Sequence, residues 1–354
     1  MKIKVTTGDI TRIKAGAIIV NFFEGTKAPE GDTATADQAL DGAISRLVRQ
    51  KEIKGNLNEI TLIHSLGKLP ADRVIVTGLG KKTELTLDRI RGAMAETCRY
   101  LRPKGVESIA TITQWAGITD ITAGSSAQAI TEGTLLGLYS FRKHITKKDE
   151  GEIKQLTIAD TDTARFHTLK QGCQAGRIVA EAAILARDMV NEPSNYMTPT
   201  NIAEIASTLA HTYGLKLTIL ERAQMQTLGM GALLGVARGS DQPPKFIVLS
   251  YKGRRTQTTD ITLIGKGITF DSGGISLKPS GGMDEMKGDM AGGAAVMAAL
   301  SAIAQLKLKT NVTAIIAATE NMPNGTALKP GDVLTSMSGK TIEIISTDAE
   351  GRLT

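Results

Sequence analysis

The chain has 354 residues, of which 41% are hydrophobic, 22% charged and only 3% aromatic. That is enough to bury two aliphatic cores, and it excludes disordered, fibrous and disulfide-scaffold classes. The net charge of +6 comes in small groups, GKK (80–82), FRKHITKK (141–148) and KGRR (252–255), which read as solvated faces and argue against a nucleic-acid partner. The first element is the alternating strand MKIKVTTGD (1–9), which lacks the apolar run of a signal peptide. AGAIIVNFF (15–23) reads as a buried strand, and ATADQALDGAISRLVRQ (34–50) has helical spacing. DRVIVTGLG (72–80) is a strand, LDRIRGAMAETCRYLRP (87–103) a helix closed by Pro103, and ESIATIT (107–113) another strand. A helix, AQAITEGTLLGLYSF (127–141), and a strand, EIKQLTIAD (152–160), follow. Strand and helix in alternation predict an α/β domain with a mainly parallel sheet.

The polar segment DTDTARFHT (160–168) carries neither pattern. It sets the expected domains at 1–160 and 169–354, with 161–168 as linker. A long helix (169–190) leads to the loop NEPSNYMTPT, whose Thr-Pro-Thr starts a new helix. The second domain alternates again: strands at 215–221, 244–251, 260–268, 311–319 and 340–346, and a helix of small residues after Gly288. It is therefore a second α/β domain. No run of about 18 apolar residues occurs, so no membrane span is expected. The two cysteines, Cys98 and Cys173, make neither a disulfide framework nor a thiolate metal site. They read as reduced, buried thiols of a cytoplasmic protein.

Two stretches could carry chemistry. GKGITFDSGGISLKPSGGMDEMKGDMAGG (265–293) sets Lys266 and Asp271 at the C-terminal end of a strand, where open α/β sheets bind ligands. Asp289 opens the helix that follows. A solvated glycine-rich loop is the plain alternative. The second stretch is STDAEGRLT (346–354). If it stays extended, Asp348, Glu350 and Arg352 share one face, because side chains repeat every second residue. A surface ion-pair cluster is the plain alternative there. Both stretches follow strands of one domain, so Asp271, Asp289, Asp348 and Glu350 can meet as four carboxylates. Such a cluster stays ionised only if cations compensate it, and about two divalent ions would suffice. Oxygen-rich sites favour Mg²⁺, Mn²⁺ or Zn²⁺, and paired metals activate water and stabilise an oxyanion.

Competing motifs fail. SGKT (338–341) has Leu334 where a phosphate-cradling loop needs glycine, and a strand follows it where a helix is required. GLGKKT (78–83) lacks the third glycine of a dinucleotide site. His64, His144, His167 and His211 lie outside these stretches and do not pair at metal spacing. Ser272 and Ser276 have no nearby base and read as loop hydroxyls.

The stretch GKGITFDSGGISLKPSGGMDEMKGDMAGGAAV together with TDAEGR resembles the two signatures of the leucyl aminopeptidase family, the M17 cytosol aminopeptidases. VNEPSNYMTP (190–199), GMGALLGVARGSDQPPKFIVLSY (229–251) and ENMPNGTALKPGDVLTSMSGKTIEI (320–344) support it. The likeness is specific from about residue 170 onward, and residues 1–160 resemble the family's more variable N-terminal, macro-like α/β domain. The resemblance implies a smaller N-terminal domain and a catalytic α/β/α domain. It implies a dinuclear metallo-exopeptidase, cytoplasmic and homohexameric, that releases N-terminal residues, preferentially leucine, from peptides. One metal, Zn²⁺ or Mn²⁺ with Mg²⁺ as a further candidate, would take Lys266, Asp271, Asp289 and Glu350. The other would take Asp271, Glu350 and both the carboxylate and the backbone carbonyl of Asp348. Lys278 would polarise the scissile carbonyl, Arg352 would anchor a bicarbonate as general base, and Met286 would line the pocket for the first side chain. Ser346 stands where the family commonly has asparagine.

Family members continue well past this arginine. The expectation is therefore a chain truncated at its C-terminus, with an incomplete catalytic domain. The alternative function is an inactive relative that oligomerises or binds nucleic acid through its N-terminal domain.

Overall fold

The computed structural model describes residues 1–113, 120–147, 151–256 and 258–354. Lys148, the last residue of the basic stretch 141–148, lies outside them. The chain forms two compact units, Met1–Glu181 and Ala182–Thr354.

The first unit is a six-stranded sheet sandwiched by helices. In chain order its elements are β1 (Lys2–Thr7), β2 (Ala17–Phe22), α1 (Gly31–Ala39), α2 (Ala43–Arg49), β3 (Ile60–His64), β4 (Arg73–Gly78), α3 (Leu87–Leu101), β5 (Ser108–Ile112), α4 (Ala123–Gly137) and β6 (Gln155–Asp160). The spatial order is β1-β6-β5-β2-β4-β3, parallel throughout except for β3 against β4. All six residues of β2 are buried, because both faces of a central parallel strand are covered. Ile19 joins the core beneath α3 and α4, while its neighbours Ile18 and Val20 join the core beneath α1 and α2. The helical pattern at 34–50 is two helices. Asp41 (φ 53°) and Gly42 (φ 76°) take left-handed backbone between them, which no continuous helix accommodates.

The helix α5 (Phe166–Asn191) carries the chain into the second unit and starts three residues before the expected 169. After it come α6 (Pro199–Tyr213), β7 (Lys216–Leu220), α7 (Arg222–Thr227), α8 (Gly231–Val236), β8 (Lys245–Lys252), β9 (Ile261–Asp271), α9 (Ala291–Gln305), β10 (Asn311–Asn321), β11 (Val333–Thr335) and β12 (Thr341–Glu343). Pro199 stands at the first position of α6, and the Thr198 side chain accepts from Asn201 N, so the Thr-Pro-Thr signal acts as a cap. The main sheet runs β7-β8-β10-β9, with β9 and β10 parallel and the other pairs antiparallel. Its core joins Ile247, Leu249, Ala314 and Ile316 to Met290, Met297 and Leu300 of the α9 region. The predicted strand 340–346 is shorter: only Thr341–Glu343 pairs, with β11, in a separate hairpin. Among the described residues no helix is long and apolar enough to cross a membrane.

Candidate metal centre

The site grows from the C-terminal ends of β9 and β10. Lys266 and Asp271 are five residues apart, so a regular strand would point them to opposite faces. A bulge corrects this. Between paired positions β9 advances from Ile268 to Asp271 while β10 advances only from Thr319 to Asn321. The extra residue shifts the alternation by one and turns Asp271 into the cluster with Lys266. Asp271 then stands opposite Asn321.

Beyond β9 the chain folds back as a glycine-rich loop. Ser272 donates to Asn321 O from its backbone N (3.0 Å) and from Oγ (2.7 Å), and Lys278 N donates to Ser272 O (2.9 Å). Gly273 and Gly274 both take positive φ, 86° and 68°. A Cβ on Gly274 would stand 2.7 Å from Asn321 Oδ1, so this corner needs glycine on both counts.

The terminal stretch is not extended. Residues Thr347–Arg352 form two short 3₁₀ turns joined by a kink at Asp348 and Ala349, so the extended segment on which Asp348, Glu350 and Arg352 are expected to share a face does not form. Glu350 is buried, while Asp348 and Arg352 are exposed. Ser346 begins the turn by accepting from Asp348 N (3.3 Å). Thr347 staples the turn to the glycine loop: its Oγ1 donates to Gly273 O (2.6 Å) and accepts from Ser276 N (2.8 Å), and its own N donates to Ser276 Oγ (3.1 Å).

These constraints gather the expected residues. Oxygens of Asp271, Asp348 and Glu350 lie within 4.8 Å of one another. Lys266 Nζ contacts Asp289 Oδ2 (2.6 Å) and Glu350 Oε1 (2.7 Å). Lys278 Nζ contacts Asp271 Oδ2 (3.0 Å) and Asp348 Oδ1. Each ammonium thus neutralises one pair of carboxylates. Burial alone would push Lys266 down, but Asp289 and Glu350 outweigh it and hold its pKa above the ordinary value. Lys278 is raised in the same way by Asp348 and Asp271. Burial raises Asp289, and the charges of Asp271 and Glu350 add to that against the opposing pull of Lys266. Asp289 Oδ2 is buried, and Lys266 Nζ at 2.6 Å is the cation that compensates it. Met286 is half-buried in the 3₁₀ turn Met283–Gly288, and Arg352 ends the terminal turn. The third lysine of the stretch 265–293, Lys287, donates to Asn191 O (2.7 Å) from the 3₁₀ turn Met283–Gly288.

Four carboxylates, three of them within reach of a single ion, and a lysine amine make a donor set suited to hard or borderline divalent cations. The residues fit such ions. Sequence reasoning missed Asn321 and Thr347, which hold this set together. Both are neutral residues inside the quoted motifs, and their signal was only their adjacency to the ligands.

Comparison with known proteins bears on this cluster. The description "Cytosol aminopeptidase family, catalytic domain" matches residues 184–354, and the corresponding N-terminal domain matches 19–148. A probable cytosol aminopeptidase of Alkaliphilus metalliredigens is 45% identical over 356 residues, covering 100% of this chain and 71% of the relative. One of Geobacter sulfurreducens is 43% identical over 357 residues with the same coverage of 100% and 71%. Among solved structures, the bottromycin maturation enzyme BotP in complex with Mn superposes with a TM-score of 0.81 at 33% identity, over 96% of this chain and 67% of that one. A mutant of tomato leucine aminopeptidase gives 0.86 at 28% identity, over 100% and 69%.

Proposed function

The chain belongs to the cytosol aminopeptidase family, and we propose that Lys266, Asp271, Asp289, Asp348 and Glu350 form the dinuclear centre at which it releases N-terminal residues from peptides. Metal-dependent exopeptidase chemistry goes with the family. The carrying observation is the convergence of four acids and two lysines from three chain segments. In this reading one ion is held by Lys266, Asp271, Asp289 and Glu350, and the other by Asp271, Asp348 and Glu350. Bound there, the two ions supply an activated water near neutral pH and electrophilic polarisation of the scissile carbonyl.

The chain's own residues complete the site. Lys278, carried by the glycine loop, offers an ammonium to the developing oxyanion. Arg352, exposed at the end of the terminal turn, would hold bicarbonate as proton acceptor toward the attacking water. Met286 would contact the substrate's first side chain. Lys266 can serve as a ligand only as the neutral amine, and a dication beside it supplies the field that removes its proton. Mn²⁺ or Zn²⁺ are the proposed ions, and the BotP structure is a complex with Mn. Preference for N-terminal leucine follows the name of the tomato neighbour. A cytoplasmic homohexamer completes the proposal.

The test is hydrolysis of leucine p-nitroanilide with added Mn²⁺ or Zn²⁺, beside the Asp289→Ala variant. We expect activity that chelator abolishes, and a variant that loses at least the roughly 10- to 100-fold typical of removing a partner from a metal site. A folded sample with no activity, or Asp289→Ala at wild-type rate, would refute the assignment.

A further inference from the structure

The proposed ligands do not hold themselves in place. Asn321, at the last position of β10, is 5% exposed and belongs to none of the expected ligand sets. Its Nδ2 faces three oxygens from two segments: Asp271 Oδ1 at 2.8 Å at the end of β9, and Thr347 O at 2.9 Å and Glu350 Oε2 at 3.4 Å in the terminal turn. All three are acceptors, so only the NH₂ end of the carboxamide suits this position. Its backbone carbonyl receives the two bonds from Ser272, which fix the start of the glycine loop.

The pattern of oxygens is selective. Asp271 Oδ1 is taken by Asn321 Nδ2 and by Gly273 N (2.9 Å), while Asp271 Oδ2 faces Lys278. Glu350 Oε2 faces Asn321, while Glu350 Oε1 faces Lys266. Each carboxylate is therefore anchored through one oxygen and presents the other toward the positive side of the cluster. From this we infer that Asn321 is a positioning residue: its carboxamide orients the two acids proposed to be shared between the metals and ties the terminal turn to the sheet. Other residue types fail on simple grounds. Aspartate at this position adds a further negative charge and donates nothing. Leucine fills the volume but leaves the Thr347 carbonyl and Glu350 Oε2 without this donor, and Asp271 Oδ1 with Gly273 N alone. Partners of this kind orient metal ligands and typically govern affinity about 10- to 100-fold.

This inference rests on the metal-centre reading, and the experiment separates the two. Apo wild type, Asn321→Leu and Asn321→Ser are titrated with Mn²⁺ by calorimetry, after far-UV circular dichroism and a thermal melt of each apo form. We expect Asn321→Leu to raise the Mn²⁺ dissociation constant about 10- to 100-fold, with Asn321→Ser, which keeps one donor, in between. At saturating Mn²⁺ the loss is expected in kcat and not in KM, because Asn321 is buried behind its hydrogen bonds to Asp271 and Thr347. A merely structural asparagine would lower the melting temperature of the apo protein and leave the Mn²⁺ constant alone. A folded variant with wild-type Mn²⁺ affinity overturns the inference, and Asn321→Ser decides the matter in the same way if Asn321→Leu does not fold. Wild type that takes up no Mn²⁺ overturns the metal reading and this inference with it.

Discussion

Thr347→Val tests whether the site is held by the staple between the glycine loop and the terminal turn. Valine keeps the shape of a side chain that is 2% exposed and removes only its hydroxyl. The hydroxyl donates to the buried carbonyl of Gly273 and accepts from Ser276 N. Leaving the Gly273 carbonyl unsatisfied costs about 1–3 kcal/mol, and the half-buried Ser276 N–H, which water reaches in part, about 0.5–1.5 kcal/mol. The added methyl returns at most about 0.8 kcal/mol of apolar burial. The net expectation is a loss of about 2 kcal/mol. Urea unfolding followed by circular dichroism measures the global part. Amide exchange at Ser276 measures the local part without assuming a single cooperative transition. Activity should fall as well, since the staple sets Asp348 against Lys278. A change below about 0.5 kcal/mol, the size of an ordinary neutral substitution, with Ser276 equally protected, would refute the account.

Two further outcomes follow from groups away from the centre. Cys98 is fully buried, and burial pushes its thiol up to about 12; burial also raises Cys173, which is 5% exposed. A thiol reagent at pH 8 should therefore label neither cysteine in the native protein and both in urea, and fast native labelling would show that these helices do not pack as described. Asp260 is held down to about 2 by hydrogen bonding to Arg254 and to Asn311 N (2.7 Å). Because the folded value lies below the ordinary one of about 4, this ion pair stabilises the protein above about pH 4 and loses that contribution as pH falls through about 2. An NMR titration of the Asp260 carboxyl should inflect near 2, and an inflection near 4 would mean the pair does not form in solution.

The alternation of strands and helices is legible because β2, β4, β5, β8 and β10 are apolar runs bounded by glycine, proline or charge. The edge strand β3 is not: ITLIH is short, only partly buried, and opens from a polar loop, so its pairing with β4 supplies what its sequence lacks. The acids themselves are legible, since the family resemblance names each of them. Their geometry is not. The bulge in β9 leaves no mark in composition, and strand periodicity alone puts Lys266 and Asp271 on opposite faces. The terminal turn reads as extended because TIEIIS alternates, yet pairing stops at Glu343 and the residues after it answer to Thr347 and Ser346. In the terminal turn, hydrogen bonds of neutral side chains override a pattern carried by apolar ones.

The proposed mechanism asks different tasks of the two lysines at the centre, and their backbone contexts differ to match. Lys266 stands inside β9, with a parallel neighbour fixing its backbone. A Cβ on Gly351 would lie 2.9 Å from its Cε and 3.1 Å from its Nζ, so the terminal turn closes directly over its stem. A side chain so confined can keep its nitrogen at one point, as a ligand must. Lys278 sits instead in the loop that Gly273 and Gly274 begin and Gly281 and Gly282 end. Its ammonium neutralises Asp271 and Asp348, the two acids that metal would claim from it, and the loop's backbone gives it room to turn elsewhere. In the proposed mechanism, once those acids are neutralised by the metal ions, the same lysine would be the charge left over for a substrate oxygen. In the proposed mechanism, the distinction between a held amine and a free ammonium would therefore lie in backbone context, strand against glycine loop, and not in the residue type that both share.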